Sequence, residues 1–182
     1  MAEQIPAELT LVRDLVNTAD LEKQEDLGSP ADLRAFLRER DLIGTQDTVG
    51  DRDLATFVEV REALRRLLRS HAGDAVDEDA VRTLDRAAAS VDLRARVDDD
   101  GVLRLEPAET GCAGALGCLL ADVLTATHLG SWPRLKVCAK ETCQWAYYDR
   151  SKNRSGRWCS MEVCGNRVKT RTYRERHAPS PG

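Results

Sequence analysis

Four cysteines in the C-terminal part of the chain restrict its fold more than any other feature. They form two pairs with the same internal gap, Cys138/Cys143 and Cys159/Cys164, and 15 residues separate the pairs. Two close pairs at such a separation are typical of a structural zinc site, because each short loop supplies two of the four thiolates that a zinc tetrahedron needs. The segment around them has little apolar material, so metal binding would supply its folding energy. We therefore predict one structural zinc ion per chain, held by these four thiolates.

The weaker interpretation of the pairs, free or disulfide-linked thiols, depends on where the protein resides. The first residues, MAEQIPAELTLVRD, lack the basic start and the apolar stretch of a signal peptide, and thiols stay reduced in proteins that are not secreted. The longest uncharged run covers the 12 residues 110–121, whereas a membrane-spanning helix needs ~20 apolar residues. We therefore expect a cytoplasmic protein without a transmembrane helix. The other two cysteines, Cys112 and Cys118, lie among small apolar residues and are expected to be buried and unreactive.

Charged and aromatic residues are divided unevenly along the chain. Residues 134–177 carry 12 Lys or Arg and 4 Asp or Glu, whereas residues 1–133 carry 15 and 27. Six of the eight aromatic residues also lie between 132 and 173. The two shifts coincide near residue 131, which predicts an acidic body followed by a basic block that binds a polyanion.

The spacing of apolar residues in the acidic body predicts five helices. Ser29 and Pro30 have the residue types of an N-cap and a first helical position, and Asn17 and Thr18 should weaken the first helix. In the fourth helix, the side chains expected to face the core are Val81, Leu84, Ala87 and Ala88. The five predicted helices cover approximately residues 9–19, 29–44, 52–71, 77–91 and 107–129.

One stretch of the body changes its hydrophobic period. Between Leu93 and Glu106, apolar residues alternate with polar ones on both sides of an Asp-Asp-Asp-Gly turn, which predicts a two-stranded hairpin. The expected fold class is therefore mostly α, with one small hairpin and a zinc-bound module after it. We expect residues 1–131 to fold alone.

The basic block contains a second candidate site. Ser160 can cap a helix that begins near Met161, and this helix would carry Arg167, Arg171 and Arg174 on one face. A basic helix fixed beside a metal site is expected to contact the phosphates of nucleic acid; the alternative is a merely solvated face. The predicted nucleic-acid-binding residues are Arg154, Arg157, Arg167, Lys169, Arg171, Arg174 and Arg176.

Two parts of the sequence resemble a known family. The run Cys164-Gly165-Asn166-Arg167 and the sequence around it, from Arg134 to His177, resemble the bacterial CGNR zinc-finger proteins. Upstream, the segments LVNTAD (15–20), SPADLRAFL (29–37) and VREALRRLL (60–68) resemble the ABATE domain, which is the family's N-terminal domain. Gly156 departs from the Arg expected beside Arg157, and this difference would weaken a phosphate contact.

The resemblance implies a domain organisation and a function. Residues 1–131 would form the helical ABATE-like domain, residues 132–178 a small treble-clef-like finger with a C-terminal helix, and residues 179–182 a disordered tail. The four matching cysteines would bind zinc, and the protein would be a stress-related transcription regulator whose finger binds DNA or RNA.

Three functions remain open at this point. In a one-component regulator, the body would sense a small ligand through Asn17, Thr18 and Arg61 while the finger binds DNA in preference to RNA. These three residues have a simpler alternative, in which the first two end a helix and Arg61 forms a salt bridge. The second function is a zinc-stabilised protein-interaction module, and the third, an enzyme, is not expected because none of the three histidines lies beside a nucleophile. A homodimer is compatible with the sequence, since one small finger reads few bases.

Overall fold

Five α-helices make up most of the acidic body, as its apolar spacing predicts. The structure is a computed structural model, and it describes residues 5–165 of the chain. The predicted C-terminal helix beyond Gly165 and the tail 179–182 lie outside the described residues. The helices are α1 (Ala7–Val16), α2 (Pro30–Arg38), α3 (Asp51–Ser70), α4 (Glu78–Ala89) and α5 (Gly111–His128).

Three two-stranded antiparallel hairpins accompany the helices in residues 5–165. The predicted hairpin is confirmed as the pair β3–β4, in which Ala95 faces Leu105. The other two hairpins are short, and a final helical turn, Met161–Gly165, follows them. The strands are β1 (Ala19–Asp20), β2 (Gln24–Glu25), β3 (Leu93–Val97), β4 (Leu103–Pro107), β5 (Leu135–Val137) and β6 (Ala146–Tyr148). The fold class is mostly α with small hairpins, as predicted.

A capping side chain marks the start of α2 and another the start of α4. Ser29 Oγ accepts a hydrogen bond from the backbone N–H of Asp32 at 3.3 Å, which confirms the predicted start of α2. The first helix ends at Val16, so Ala19, which fits its apolar spacing, lies in β1 instead.

The buried face of α4 consists of Ala80, Thr83 and Ala87, whereas the expected core residues Val81 and Ala88 are exposed. This helix packs mainly on α3, and that contact rotates its buried face by one residue.

The core extends from the helical body into the C-terminal module. Leu9 and Leu15 of α1 are fully buried, and Leu135 and Val137 of β5 belong to the same hydrophobic cluster with exposed fractions of 0% and 1%. Ala146 of β6 is buried there as well. The expectation that residues 1–131 fold alone did not include this shared core.

Helix α5 is the most apolar helix of the described residues. By length and composition alone it is able to cross a membrane, with a mean hydropathy of 1.2 over 18 residues. Its small residues instead pack closely within the protein: a Cβ at Gly117 would lie 2.7 Å from Cβ of Pro107 in β4. Helix α5 also packs along α1, and a core helix of this kind satisfies the same length and composition test.

Candidate metal centre

The two cysteine pairs meet in one cluster. Cys138 directly follows β5, and Cys143 lies in the loop before β6. Cys159 precedes the last helical turn, and Cys164 lies within it. All four Sγ atoms lie within 4.8 Å of one another. The Sγ atoms of Cys143 and Cys159 are 3.8 Å apart, and those of Cys159 and Cys164 are 3.7 Å apart. A tetrahedral zinc ion with Zn–S bonds of ~2.3 Å places its sulfurs ~3.8 Å apart, so the cluster fits this ion.

Backbone hydrogen bonds shape the two loops that present the sulfurs. In the first loop, the N–H of Cys143 donates to the carbonyl of Lys140 at 2.9 Å, and the N–H of Cys138 donates to the carbonyl of Trp145 at 2.9 Å. In the second loop, the N–H of Cys164 donates to the carbonyl of Ser160 at 3.0 Å. The hydroxyl of Ser160 accepts from the N–H of Val163 at 3.3 Å, which is the capping role its residue type predicts.

Two of the four ligands of the metal centre are buried, and the ligand set leaves no open coordination position. Cys138 and Cys164 are 2% and 3% exposed, and four thiolates leave no coordination position for a substrate. Gly165 allows the last turn to pack tightly, because a Cβ there would lie 2.8 Å from Sδ of Met161 and 3.2 Å from Cδ1 of Trp158. The arrangement is therefore that of a structural metal site.

Two of the seven predicted nucleic-acid-binding residues lie within the described part of the chain. Arg154 and Arg157 are exposed on the loop that joins β6 to Cys159. The guanidinium of Arg157 lies 5.9 Å from the ring centroid of Trp158. The other five lie outside the described residues: Arg167, Lys169, Arg171, Arg174 and Arg176. Asn166 of the quoted motif also lies outside them.

A buried ion pair beneath this loop was not anticipated from the sequence. Nζ of Lys136 in β5 lies 2.7 Å from Oδ2 of Asp149, and each side chain is 3% exposed. Burial by itself raises the pKa of Asp149, but hydrogen bonds from Lys136 and Ser151 bring it down to about 2, so the carboxylate stays charged. The N–H of Gly156 also donates to Oδ2 of Asp149 at 2.8 Å. A Cβ at Gly156 would lie 2.7 Å from Oδ1 of that carboxylate, which is a physical reason for glycine at this position.

The three predicted ligand-binding residues are close together but differ in role. Arg61 is 3% exposed, and its guanidinium donates to both carboxylate oxygens of Glu25, at 2.5 and 2.8 Å, and to Oγ1 of Thr18 at 3.2 Å. Arg61 thus forms the salt bridge of the simpler interpretation. Asn17 joins the body to the finger, since its Nδ2 donates to the carbonyl of Ala146 at 3.0 Å and its Oδ1 accepts from the N–H of Ala146 at 2.7 Å.

A cleft of about 600 Å³ opens beside Asn17 and Thr18. Its lining comes from both halves of the chain, and Arg61 is not part of it. The guanidinium of Arg40 lies 3.9 Å from the ring centroid of Phe36 within this cleft. Trp145 of the finger also lines the cleft and is 38% exposed. The cleft therefore combines cationic, acidic and aromatic groups at the junction of body and finger.

Two further side chains, one buried and one half-buried, hold the finger on the body. Arg65 of α3 is 2% exposed, and its Nη2 donates to the carbonyl of Val16 at 2.6 Å while its Nη1 donates to that of Gln144 at 3.1 Å. Nδ1 of His71 lies 2.7 Å from the carbonyl oxygen of Leu135, and its ring meets that of Trp132 edge to face at 5.2 Å. The metal-binding loops are thus connected to α1 and α3 by specific polar contacts.

Comparison with protein families gives two matches that together cover most of the chain. The family described as "CGNR zinc finger" matches residues 134–177, and the ABATE family, described as "Putative stress-induced transcription regulator", matches residues 9–127. Both matches fall at the positions that the quoted motifs indicate, so the predicted resemblance is confirmed. The cofactor prediction is confirmed as well, because a zinc-finger match coincides with four cysteines positioned to hold one metal ion. A search of curated proteins finds no match.

Proposed function

The chain belongs to the ABATE family, and from this membership we propose that it is a cytoplasmic one-component transcription regulator that responds to stress. In this proposal the body, residues 1–131, senses a small ligand, and the finger, residues 132–178, binds DNA. The two matched families are a regulator and a zinc finger, neither of which is an enzyme class.

The observation that carries the proposal is the position of the metal centre at the start of the most basic part of the chain. The loop with Arg154 and Arg157 leads into the ligand Cys159, and the last ligand, Cys164, directly precedes the segment 165–176 with five further basic residues. A zinc ion with four thiolates carries net negative charge, so nearby cations stabilise the site as well as attracting a polyanion. Phosphate contacts of this kind supply most of the sequence-independent affinity for DNA.

Exchanging two arginines tests this proposal. Each phosphate contact contributes ~0.9 to the slope of log affinity against log salt, so Arg171→Ala combined with Arg174→Ala should weaken duplex binding and lower the slope by ~1 to 2. Zinc content should not change. Fluorescence anisotropy with a labelled duplex measures the slope, and Arg82→Ala with Arg86→Ala, both exposed on α4, is the charge-matched control. An unchanged affinity and slope in the finger variant would show that these arginines are not the contact.

RNA and protein partners are the alternatives that the same measurement addresses. A single-stranded RNA competitor that displaces the duplex at equal concentration would favour an RNA-binding protein. A parent protein that binds neither nucleic acid at low salt would favour a zinc-stabilised protein-interaction module.

The cleft beside Asn17 supports the sensing part of the proposal. The cleft touches both body and finger, so a ligand bound there contacts Trp145 and Ala146, which follow Cys143 by two and three residues. A thermal-shift screen of small polar metabolites tests this. Compounds that raise the melting temperature of the parent but not of Arg40→Ala would locate the ligand in the cleft; equal shifts in both proteins would place it elsewhere.

The number of chains on DNA is also part of the proposal. One small finger contacts a short stretch of duplex, so we propose that two chains share a DNA site as a homodimer. Light scattering of the complex should give two chains per duplex, and one chain per duplex would contradict this stoichiometry.

A further inference from the structure

The loop between β6 and Cys159 is closed at its base by the carboxylate of Asp149. Oδ1 of Asp149 accepts a hydrogen bond from the N–H of Ser151 at 2.9 Å, and Oδ2 accepts one from the N–H of Gly156 at 2.8 Å. The carboxylate therefore connects the start of the loop with Gly156, and we call the segment 149–157 the knuckle.

Lys136 holds the knuckle from the opposite strand. Its Nζ donates to Oδ2 of Asp149 at 2.7 Å, to the carbonyl of Arg154 at 2.5 Å and to the carbonyl of Gly156 at 3.3 Å. All three protons of the ammonium group thus have acceptors. Two of these acceptors are backbone carbonyls of the knuckle, so the ammonium group sets the path of its main chain.

The burial of this ion pair points to a role beyond stability. Both side chains are 3% exposed, and taking two charges out of water is costly unless further hydrogen bonds compensate. Apolar residues of similar size would fill the same space without that cost. Lys136 and Asp149 instead bond to the backbone around Arg154, which has a left-handed conformation with φ of 53°. The pair keeps a non-glycine residue in a conformation that such residues rarely adopt.

The knuckle displays its positive charge outward. Residues 150–161 include four basic residues and no acidic one, and the charge of Asp149 is neutralised by Lys136. The side chains of Lys152, Arg154 and Arg157 are exposed. Within residues 5–165, no carboxylate forms an ion pair with these three side chains. The residues between them, Asn153, Ser155 and Gly156, are short and allow close approach of a phosphate group.

We propose that the knuckle is a preformed phosphate-binding site for duplex DNA, in which Lys152, Arg154 and Arg157 contact the phosphates and Lys136 and Asp149 are positioning residues. This inference rests on the proposed function and adds a contact surface separate from the segment after Cys164. A loop that is already ordered loses little conformational freedom on binding, so its charges contribute more to affinity than the same charges on a mobile chain.

Exchanging the exposed charges tests the contact. Lys152→Ala with Arg154→Ala leaves the buried pair and the cysteines in place, so zinc content and melting temperature should match the parent. The affinity for a labelled duplex of random sequence should fall, and the slope of log affinity against log salt should decrease by ~1 to 2. The control, Arg94→Ala with Arg96→Ala on the exposed hairpin β3–β4, removes the same charge and should leave the slope unchanged.

Exchanging the buried pair tests the positioning role. Lys136→Met with Asp149→Asn keeps all exposed charges of the knuckle, so a purely electrostatic contact would be retained. We expect weaker DNA binding, a smaller salt slope and faster amide hydrogen exchange at residues 151–156, with zinc retained. Unchanged binding in a folded, zinc-loaded variant would overturn the positioning role. If this variant does not fold, the exposed-charge variant still decides whether the knuckle is a contact.

The outcomes separate this inference from the function on which it rests. If the parent does not bind duplex DNA at low salt, the proposed function is disproved. If the parent binds and the exposed-charge variant binds with equal affinity and slope, only the knuckle contact is disproved.

Discussion

At the scale of single residues, buried polar side chains connect distant parts of the chain. Asn17 exchanges two hydrogen bonds with the backbone of Ala146, and Arg65 donates to carbonyl groups of both body and finger. Removing one of these side chains leaves a main-chain partner unsatisfied, at a cost of ~1–3 kcal/mol where that partner is buried. These residues therefore determine how the finger sits on the helices.

His71 gives this junction a dependence on pH. Burial is the largest cause that lowers its pKa below the ordinary value of 6.5; the hydrogen bond to Leu135 opposes that shift, and the charge of Lys136 adds to it. In the unfolded chain His71 is protonated at its ordinary pKa, whereas in the folded chain its lower pKa means that protonation requires a lower pH. The contribution of neutral His71 to stability is thus complete above pH 6.5 and is lost as the pH falls below that value.

We predict that the melting temperature falls more between about pH 7.5 and about pH 5.5 in the parent than in His71→Gln. Glutamine has an amide donor for the carbonyl of Leu135 but does not titrate. Differential scanning fluorimetry at the two pH values measures the difference, and loss of zinc at low pH affects both proteins alike. An equal fall in both would show that His71 does not contribute to the pH dependence.

The sequence predicts individual residues well only where a recognisable motif marks them. The four zinc ligands follow from the repeated spacing of the two cysteine pairs. Ser29 and Ser160 each cap a helix by accepting a hydrogen bond from the backbone N–H three residues later. Lys136 and Asp149 are 13 residues apart, and Arg65 and Gln144 are 79 residues apart. No periodicity links such positions, so these contacts depend on tertiary packing that the sequence pattern does not show.

At the scale of secondary-structure elements, long periodic segments are predictable and short ones are not. The helices α1 to α5 and the hairpin β3–β4 lie where apolar spacing places them. Strands β1 and β2 have two residues each and β5 and β6 have three, which is shorter than the ~4 residues that alternation needs. Packing on α3 and α1, rather than intrinsic propensity, holds β5 and β6 in place.

The metal-binding loops should behave as one element. Cys159→Ser removes one of four ligands, and structural zinc sites bind with ~10 kcal/mol or more, so the variant should lose its zinc and the order of the loops 138–145 and 159–165. The helical circular dichroism signal should be largely retained. Metal analysis after zinc-replete expression measures the loss, with Cys118→Ser on α5 as the control that keeps its zinc. Full zinc occupancy in Cys159→Ser would contradict the assignment of this ligand.

At the scale of the whole molecule, the finger completes the core of the body. We predict that a chain ending at Gly130 unfolds cooperatively but melts at least ~5 °C below the parent, because it lacks the buried side chains of Leu135, Val137 and Ala146. Thermal circular dichroism measures both properties. The absence of a cooperative transition would show that the body does not fold alone, and an unchanged melting temperature would show that the finger adds nothing to the core.

The charge of the whole molecule orients it on DNA. Residues 1–133 carry 27 acidic and 15 basic residues, so the body repels a duplex that the basic finger attracts. This division places the metal centre, rather than the helices, at the DNA surface in our proposal.

The most direct test of the central claim, that the zinc-ordered finger binds DNA, compares two proteins on one labelled duplex over a range of salt concentrations. We predict that the zinc-loaded parent binds at low salt with a slope of several units, since each phosphate contact contributes ~0.9. Cys159→Ser should lose most of this binding although its total charge is nearly the same. Equal binding by both proteins, or no binding by the parent at low salt, would contradict the claim.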